Sequence, residues 1–430
     1  MIKKLMRSIR EYKRDTILSP VFVTCEVILE VLIPFLMAKL IDNGITPGDM
    51  GYTIRMGLVL LVCAAASLGF GALSGLAASR ASAGFAKNLR KDMFYHVQHF
   101  SFTNIDHFST SSIVTRLTTD VTNIQNAFMM VIRIAVRAPI MLILSMFMAF
   151  QVNAELALVF LYVVPILAIG MYLIMTRAYP IFHRVFETYD KLNNVVGENL
   201  HGIRVVKSFV REEKEKQKFG DVSQAIYVDF YKAERLMAYI MPLMQFSIYT
   251  CLILLSWFGG KLVITTAMTT GELMTMFSYV IQILMSLMML AMVTTMIAIS
   301  KASTERVTEL LDEQSDLHNG SNPIMAVADG SIEFQDVSFS YTGKTNKLCL
   351  SDVNLSIRSG ETIGVIGGTG SSKSTLVQLI PRLYDATCGK VLVGGVDVRD
   401  YDVETLRNEV AMVLQKNPLF SGSIKDNLRW

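Results

Sequence analysis

Three observations predict an all-α, polytopic membrane domain with long helical extensions, followed by a partial α/β domain. Of the 430 residues, 52% are hydrophobic and only 18% are charged, whereas about a quarter of an average soluble protein is charged. Uncharged apolar runs recur through most of the chain, and a polar stretch followed by short β-rich runs comes after them. This pattern excludes a disordered chain, a small disulfide scaffold and an ordinary soluble enzyme.

Six apolar stretches are long enough to cross a bilayer as helices, which requires about 20 apolar residues each. The first stretch contains Glu26, Glu30 and Lys39, and the other five contain no charged residue. An even number of spans places both chain ends on one side of the membrane. The predicted spans are residues 16–41, 56–79, 138–154, 156–176, 236–260 and 273–300.

Basic residues indicate which side that is. The first fifteen residues carry six Lys or Arg against two acidic residues, and the long connections 80–137 and 177–235 are also rich in Lys and Arg. The positive-inside rule therefore predicts a multi-pass protein of the cell membrane, with the N terminus, both long connections and the C-terminal region in the cytoplasm. The N-terminal segment is interpreted as an amphipathic surface helix or, equally well, as a simple topology anchor.

The two long connections show helical periodicity and are not rich in Pro or Gly. We expect the flanking spans to continue as helices into the cytoplasm and then return, because these segments are too long for turns. Each helical stalk would present its tip to a cytoplasmic partner domain.

The predicted domains are a transmembrane domain (residues 1–311), a polar linker (312–330) and a neutral soluble region (331–430). The linker is rich in Gly, Asn and Ser, which are typical of loops. Short β-rich runs in the soluble region predict strands at residues 332–341, 353–357, 362–367, 390–398 and 410–415.

One string in the soluble region, ETIGVIGGTGSSKSTLVQLIPRLY, carries chemistry. An apolar run enters a Gly-rich loop, then Lys373 and Ser374, then a helical run, which is the context of a phosphate-binding P-loop. Backbone N–H groups of such a loop bind phosphate oxygens, while Lys373 would reach the β and γ phosphates of ATP and Ser374 would ligate Mg²⁺. The candidate ATP-binding residues here are Gly367, Gly368, Thr369, Gly370, Ser371, Ser372, Lys373, Ser374 and Thr375.

Ser372 departs from the G-x-x-x-x-G-K-S/T pattern, which has Gly at this position. Gly is favoured because the backbone needs to be unhindered and to reach φ above zero. Ser in a left-handed conformation costs roughly 1 kcal/mol or more, so we expect weaker phosphate binding.

Six spans, long stalks, a linker and a P-loop domain, in this order, resemble an ATP-binding cassette (ABC) exporter half-transporter of the bacterial multidrug or lipid type. The resemblance covers essentially the whole chain. It implies that residues 102–108 form the first coupling tip and that residues 197–209 enter the second stalk. It also implies that Tyr341 stacks on adenine, and that Gln415 contacts Mg²⁺ and the attacking water and reports the state of the site to the membrane half.

The implied function is ATP-driven export of hydrophobic or amphipathic compounds, drug-like or lipid, by alternating access. One chain supplies one membrane half, so the resemblance implies a second half-transporter as partner. Ser372 slightly favours a heterodimer over a homodimer. The net charge of only +3 gives no signal for nucleic-acid binding. The alternative is a non-catalytic, nucleotide-binding regulatory subunit of a heteromeric complex.

The signature motif, catalytic Glu and switch His of the family cannot be placed in this sequence, and its last histidine is His318. We therefore expect no catalytic residue in this chain, a longer natural chain truncated here within the cassette, and no ATPase activity from the 430 residues alone. For the same reason we expect residues 331–430 to be unstable by themselves.

Glu26 and Glu30 lie on one face of the first predicted span because they are four residues apart. A charge within the membrane costs about 2.5–3.5 kcal/mol on insertion scales, so these side chains should face a watery cavity or find partners. Arg133 and Arg137 are candidate partners. Two interpretations stand equally: attraction of cationic substrates, or a structural role as an ion pair or as charges located at the level of the lipid headgroups.

The last span is rich in methionine, a side chain that adapts to varied ligands. Helical spacing makes a stripe of four of these residues a second candidate for the substrate cavity, against ordinary lipid-facing or packing roles. These residues are Met285, Met288, Met292 and Met296.

Overall fold

The fold is known from a computed structural model, which describes residues 1–341, 347–415 and 417–429. Two compact units are present. One contains residues 1, 89–121 and 304–430, and the other contains residues 2–88 and 122–303. The α-helices are α1 (Ile2–Met6), α2 (Lys13–Leu40), α3 (Met50–Gln98), α4 (Phe102–His107), α5 (Thr110–Thr115), α6 (Val121–Val152), α7 (Ala154–His201), α8 (Ile203–Ser208), α9 (Glu212–Met237), α10 (Ile240–Ile264), α11 (Thr270–Asp312), α12 (Lys373–Leu379), α13 (Val403–Glu409) and α14 (Ile424–Asn427).

Six helical stretches of the described chain are long and apolar enough to cross a membrane. Each is 43 to 53 residues long, or about 65–80 Å at 1.5 Å per residue, which is roughly twice the 30 Å hydrocarbon core of a bilayer. The predicted polytopic all-α fold with long helical extensions is therefore confirmed. The six stretches are Lys3–Ile45, Met50–Gln98, Thr110–Val152, Ala154–His201, Glu212–Ile264 and Thr270–Asp312.

The core of the second unit lies between α2, α6, α7, α10 and α11. Its buried side chains include Val27, Leu167 and Tyr279. The Tyr279 hydroxyl donates to the Val31 carbonyl at 3.1 Å, and the Thr275 hydroxyl donates to the Pro34 carbonyl at 2.8 Å. Polar side chains of α11 thus satisfy backbone carbonyls of α2, which suits an apolar environment without water.

Helix caps set the turns between the long helices. At α4, the Ser101 side chain accepts from the Asn104 backbone N–H while the Asn104 side chain accepts from the Ser101 backbone N–H, which is a capping box. At α7, the Asn153 side chain accepts from the Leu156 N–H at 3.0 Å. These caps let the chain reverse without leaving the first amides of the new helix unpaired.

The soluble region contains a four-stranded antiparallel sheet in the order β2-β1-β3-β4. Adjacent glycines, Gly394 and Gly395, take φ of 57° and 79° in the two-residue turn between β3 and β4, as a type I′ hairpin requires. The strands are β1 (Ile332–Phe339), β2 (Leu350–Ile357), β3 (Cys388–Val393) and β4 (Val396–Asp397).

Two of the five predicted strands are wrong. Residues 362–367 and 410–415 form no ladder in the described chain. An apolar run predicts burial but becomes a strand only where a neighbouring strand pairs its backbone. Residues 362–367 remain exposed as a result, and Ile366 is 98% exposed.

Candidate functional site

The predicted P-loop lies between an exposed segment without regular secondary structure and α12. Gly370 takes φ of 85°, and the Ser371 N–H donates to the Gly368 carbonyl at 3.3 Å, which closes a tight turn. A Cβ on Gly367 would come within 2.7 Å of the Ser371 hydroxyl oxygen. A larger residue at 367 would therefore require the Ser371 hydroxyl to move.

The Lys373 side chain folds back onto its own loop. Its ammonium donates to the carbonyls of Gly367 and Gly368, each at 2.8 Å, and to the Ser371 hydroxyl at 3.3 Å. A phosphate needs backbone N–H groups and the ammonium together. Binding of a nucleotide would therefore exchange these carbonyl contacts of Lys373 for contacts with phosphate oxygens.

Ser372 takes the left-handed backbone conformation for which the P-loop pattern normally has a glycine. Its φ and ψ are 58° and 24°, in the left-handed region, at the residue before α12. Its side chain makes no capping hydrogen bond to α12. The serine therefore has the strain of this conformation, about 1 kcal/mol, without the benefit of a cap.

Tyr341 and Thr375 are brought together, since their hydroxyl oxygens are 2.9 Å apart. The Tyr341 ring packs edge-on against Phe339 and Tyr384, with centroid distances of 4.8 and 5.2 Å. Thr375 is buried, whereas Tyr341 is 43% exposed. This geometry gives Thr375 a packing role beside the loop and leaves part of the Tyr341 ring accessible.

Gln415 and the P-loop are not connected. Gln415 is exposed after α13, and no hydrogen bond among the described residues joins it to Ser374 or Lys373. Thr369 and Ser374 are likewise exposed. Joint binding of Mg²⁺ by Ser374 and Gln415 stays a prediction.

The membrane charge cluster consists of Glu26, Glu30 and Arg137. The two guanidinium Nη atoms of Arg137 donate to Glu26 Oε1 at 2.5 Å and to Glu30 Oε2 at 2.6 Å. Arg137 is one of the two arginines that the sequence offers as partners. The other, Arg133, lines a cavity together with both glutamates.

The four methionines of the predicted stripe take different environments. Met285 and Met292 are 44% and 60% exposed, and Met288 and Met296 are half-buried. None of the four lines the cavity beside Glu26. Their role in substrate binding remains a prediction.

Comparison with known proteins identifies the family. Residues 16–288 match the family of ABC transporter transmembrane regions, and residues 350–428 match the ABC transporter family of ATP-binding domains. The chain belongs to the ABC transporters.

Related bacterial ABC transporter proteins match all or nearly all of the chain. An ABC transporter ATP-binding protein of Mycobacterium tuberculosis is 34% identical over all of this chain and 74% of its own length. The ABC transporter ATP-binding protein YfiB of Bacillus subtilis is 31% identical with the same coverage. A multidrug efflux ATP-binding/permease protein of M. tuberculosis is 28% identical over 99% of this chain and 35% of its own length.

Sequence reasoning missed how the nucleotide-binding region of this ABC transporter (residues 332–429) meets the first tip, α4. The Tyr384 hydroxyl donates to Asp106 Oδ2 at 2.7 Å. Phe102 packs on the region's buried core, with its ring centroid 5.9 Å from that of Tyr384. Burial and the adjacent Asp106 carboxylate raise the pKa of Tyr384, so its hydroxyl stays protonated and donates throughout the physiological range.

The helices leading to this tip are joined by further polar contacts. Arg306 forms a bidentate ion pair with the buried carboxylate of Asp120. The Asn104 amide donates to Glu313 Oε1 at 2.6 Å and to the Gln314 carbonyl at 3.0 Å. The end of α11 is thereby fastened to the segment that carries α4, immediately before the linker to β1.

Proposed function

We propose that this chain is a subunit of an ATP-driven ABC exporter that moves hydrophobic or amphipathic compounds out of the cytoplasm by alternating access. The observation that carries the proposal is the contact of Phe102 and Asp106 with Tyr384. A partly buried hydroxyl–carboxylate bond beside an aromatic contact can transmit a movement of the nucleotide-binding region to the helices entering the membrane. The name of the multidrug efflux relative supports an export role.

ATP would bind at the P-loop, with Lys373 and the loop amides on its phosphates and the exposed face of Tyr341 against the base. Mg²⁺ would be held by the exposed hydroxyl of Ser374 and by Gln415, where it would neutralise charge on the phosphate oxygens. Thr375 contributes by holding Tyr341 in place. Hydrolysis belongs to the complete assembly, and we expect residues 1–430 alone to turn over little ATP.

The proposed partner is a second half-transporter, since ABC half-transporters generally dimerise in a membrane. The second tip (residues 203–211) supports it because Val205, Phe209 and Val210 are 61%, 71% and 80% exposed. Exposed apolar side chains grouped at one site mark interaction surfaces. The strained Ser372 makes this P-loop the weaker of two sites and slightly favours a heterodimer.

The proposed location is the cell membrane, with the N terminus and the nucleotide-binding region in the cytoplasm. The basic N-terminal segment and the basic connections support this orientation.

The proposal is tested with the full-length assembly in proteoliposomes, where ATP turnover and uptake of a fluorescent amphiphile are measured together. Lys373→Ala should weaken nucleotide binding by about 2 kcal/mol, or roughly thirtyfold, and abolish uptake driven by this chain's site. Lys390→Ala, an exposed lysine on β3, is the matched control and should change neither.

The regulatory alternative predicts another outcome. A regulatory subunit would bind nucleotide without transport of its own, and Lys373→Ala would alter only the activity of its partner. Ser372→Gly distinguishes the two further. Tighter ATP binding with unchanged turnover in the assembly supports a regulatory role, whereas tighter binding with altered turnover supports the exporter.

A further inference from the structure

We propose that the cavity beside Glu26 binds the zwitterionic headgroup of an amphiphile. The inference rests on the proposed export function and specifies its substrate class. The cavity has a volume of about 430 Å³, within the range of small-molecule sites. It is lined by Glu26, Glu30, Ser67, Leu68, Gly71, Ala72 and Arg133.

The ion pairs leave one acceptor unused. Arg137 engages one oxygen of Glu26 and one of Glu30. The second oxygen of Glu26, Oε2, is buried and has no hydrogen-bond partner among the described residues. Two carboxylates share one guanidinium, so with both carboxylates ionised the three side chains together have a net charge of −1, which an ammonium group of a ligand would complement.

Arg133 supplies the opposite charge in the same cavity. It forms no ion pair with Glu26 or Glu30 in the part of the chain that the structure describes, although it lines the cavity with them. A cationic ligand would neutralise the charge of Glu26 but leave the charge of Arg133 without a partner. An anionic ligand would neutralise Arg133 but leave Glu26 without a partner. Each unpaired charge taken from water is costly, so a ligand with one charge of each sign fits best.

Two glycines of α3 place these charges at a defined separation. A Cβ on Gly71 would lie 3.0 Å from Glu26 Oε1 and 3.4 Å from Oε2, and a Cβ on Gly75 would lie 3.6 Å from an Nη atom of Arg133. The carboxylate and the guanidinium therefore lie against one helix, four residues apart, or about 6 Å along its axis. That spacing suits a zwitterion whose charges are separated by a few bonds.

The depth of the cavity suits an amphiphile. Gly71 is about 24 Å along α3 from Arg55 and about 14 Å from Arg80 at 1.5 Å per residue, and these two arginines bound the uncharged span. The cavity thus lies in the half of the membrane nearer Arg80. The exposed side chain of Leu68 on its rim gives an apolar tail a path toward the lipid.

The test uses three probes with the same twelve-carbon tail: dodecylphosphoethanolamine, dodecylammonium and dodecyl methyl phosphate, of which the first two carry N–H donors and the last two one charge each. Binding to the full-length protein in nanodiscs is measured without nucleotide, so it is independent of ATP turnover. The wild type should prefer the zwitterion by about tenfold over either singly charged probe. Glycerophosphoethanolamine, which has the same headgroup without a long tail, is added to separate an amphiphile site, which binds it weakly, from a site for small soluble zwitterions.

Single charge substitutions should change the preference in opposite directions. Arg133→Gln should remove the advantage of the zwitterion over the cationic probe, and Glu26→Gln, which keeps an oxygen for Arg137, should remove its advantage over the anionic probe. Arg177→Gln, an exposed arginine on α7, removes the same charge away from the cavity and should leave all three affinities unchanged.

A steric pair of variants keeps the proposal testable if a charge variant misfolds. Gly71→Ala should weaken zwitterion binding because its methyl group displaces the Glu26 carboxylate, whereas Gly69→Ala on the same helix meets no atom within 4 Å and should not. Equal binding of the three probes by the wild type, or a preference that neither charge variant alters, overturns the proposal. Intact headgroup preference without ATP-dependent uptake overturns the export function instead.

Discussion

The two helical tips of the chain differ in what covers them. At the first tip, α4, the capping box of Ser101 and Asn104 is buried, and Phe102 and Asp106 contact Tyr384. At the second tip, residues 203–211, the apolar side chains of Val205, Phe209 and Val210 are largely exposed. Both tips are short helices at the ends of long stalks. Their local secondary structure therefore does not explain why one tip is covered and the other is exposed.

The difference shows that a tip gains its function from the surface it meets. The first tip has a partner within its own chain, and its polar groups are fixed by several hydrogen bonds. The second tip keeps an unusual backbone, since Val210 takes φ of 52°, a conformation that β-branched residues rarely adopt. Strain and exposed apolar surface at one position are typical of a site that becomes buried on binding.

Phe102→Ala should have the largest effect. The half-buried ring fills space on the core of the nucleotide-binding region, and its removal should destabilise the first tip by about 2 kcal/mol, less than the 3–5 kcal/mol of a fully buried Phe. Thermal unfolding in detergent micelles measures the change. Phe209→Ala is the matched control at the second tip and should leave the unfolding midpoint unchanged, while equal losses for both variants would show that the second tip is already covered.

Tyr384→Phe should have the next largest effect, about 1–2 kcal/mol, because it leaves the Asp106 carboxylate without the hydroxyl. Burial first, and Asp106 second, raise the pKa of Tyr384. The raised pKa favours the protonated form, so the stabilisation is complete below the unfolded value of about 10 and is lost as pH rises through the folded value. The difference between variant and wild type should therefore be constant from pH 6 to 9, and a difference that changes within this range would contradict the assigned bond.

The sequence predicts those features that local spacing determines. The gap in the P-loop pattern predicts the left-handed backbone of Ser372, and the four-residue spacing of Glu26 and Glu30 predicts one shared face and a nearby arginine. The bond between Tyr384 and Asp106 could not be predicted, because the two residues are 278 positions apart and neither belongs to a local pattern. The strand prediction for residues 362–367 is wrong for the same reason. Strand formation depends on a neighbouring strand, which the hydrophobic periodicity of the segment does not identify.

Val210→Gly should stabilise the second tip by about 0.5–1 kcal/mol, since glycine takes positive φ without strain. Val205→Gly, an equally small change within α8, should instead destabilise by up to about 1 kcal/mol, because glycine disfavours a helix interior. Hydrogen exchange of the amides of residues 203–211 measures both changes. Faster exchange in Val210→Gly would mean that this valine is not strained and would remove one of the two differences between the tips.

Glu198→Gln should have the smallest effect. The Lys218 ammonium donates to Glu198 at 2.6 Å beside the second tip, and this hydrogen bond lowers the pKa of Glu198. The interaction that lowers this carboxylate pKa stabilises the fold at pH values above the unfolded pKa of about 4.3. This stabilisation is lost as pH falls through the folded pKa. Both side chains are solvated, and exposed ion pairs contribute little at physiological salt, so the unfolding midpoints of variant and wild type should coincide at pH 7. A drop at pH 7 as large as that of Tyr384→Phe would mean that the second stalk is held as firmly as the first, and that exposure is the wrong measure of the difference between the two tips.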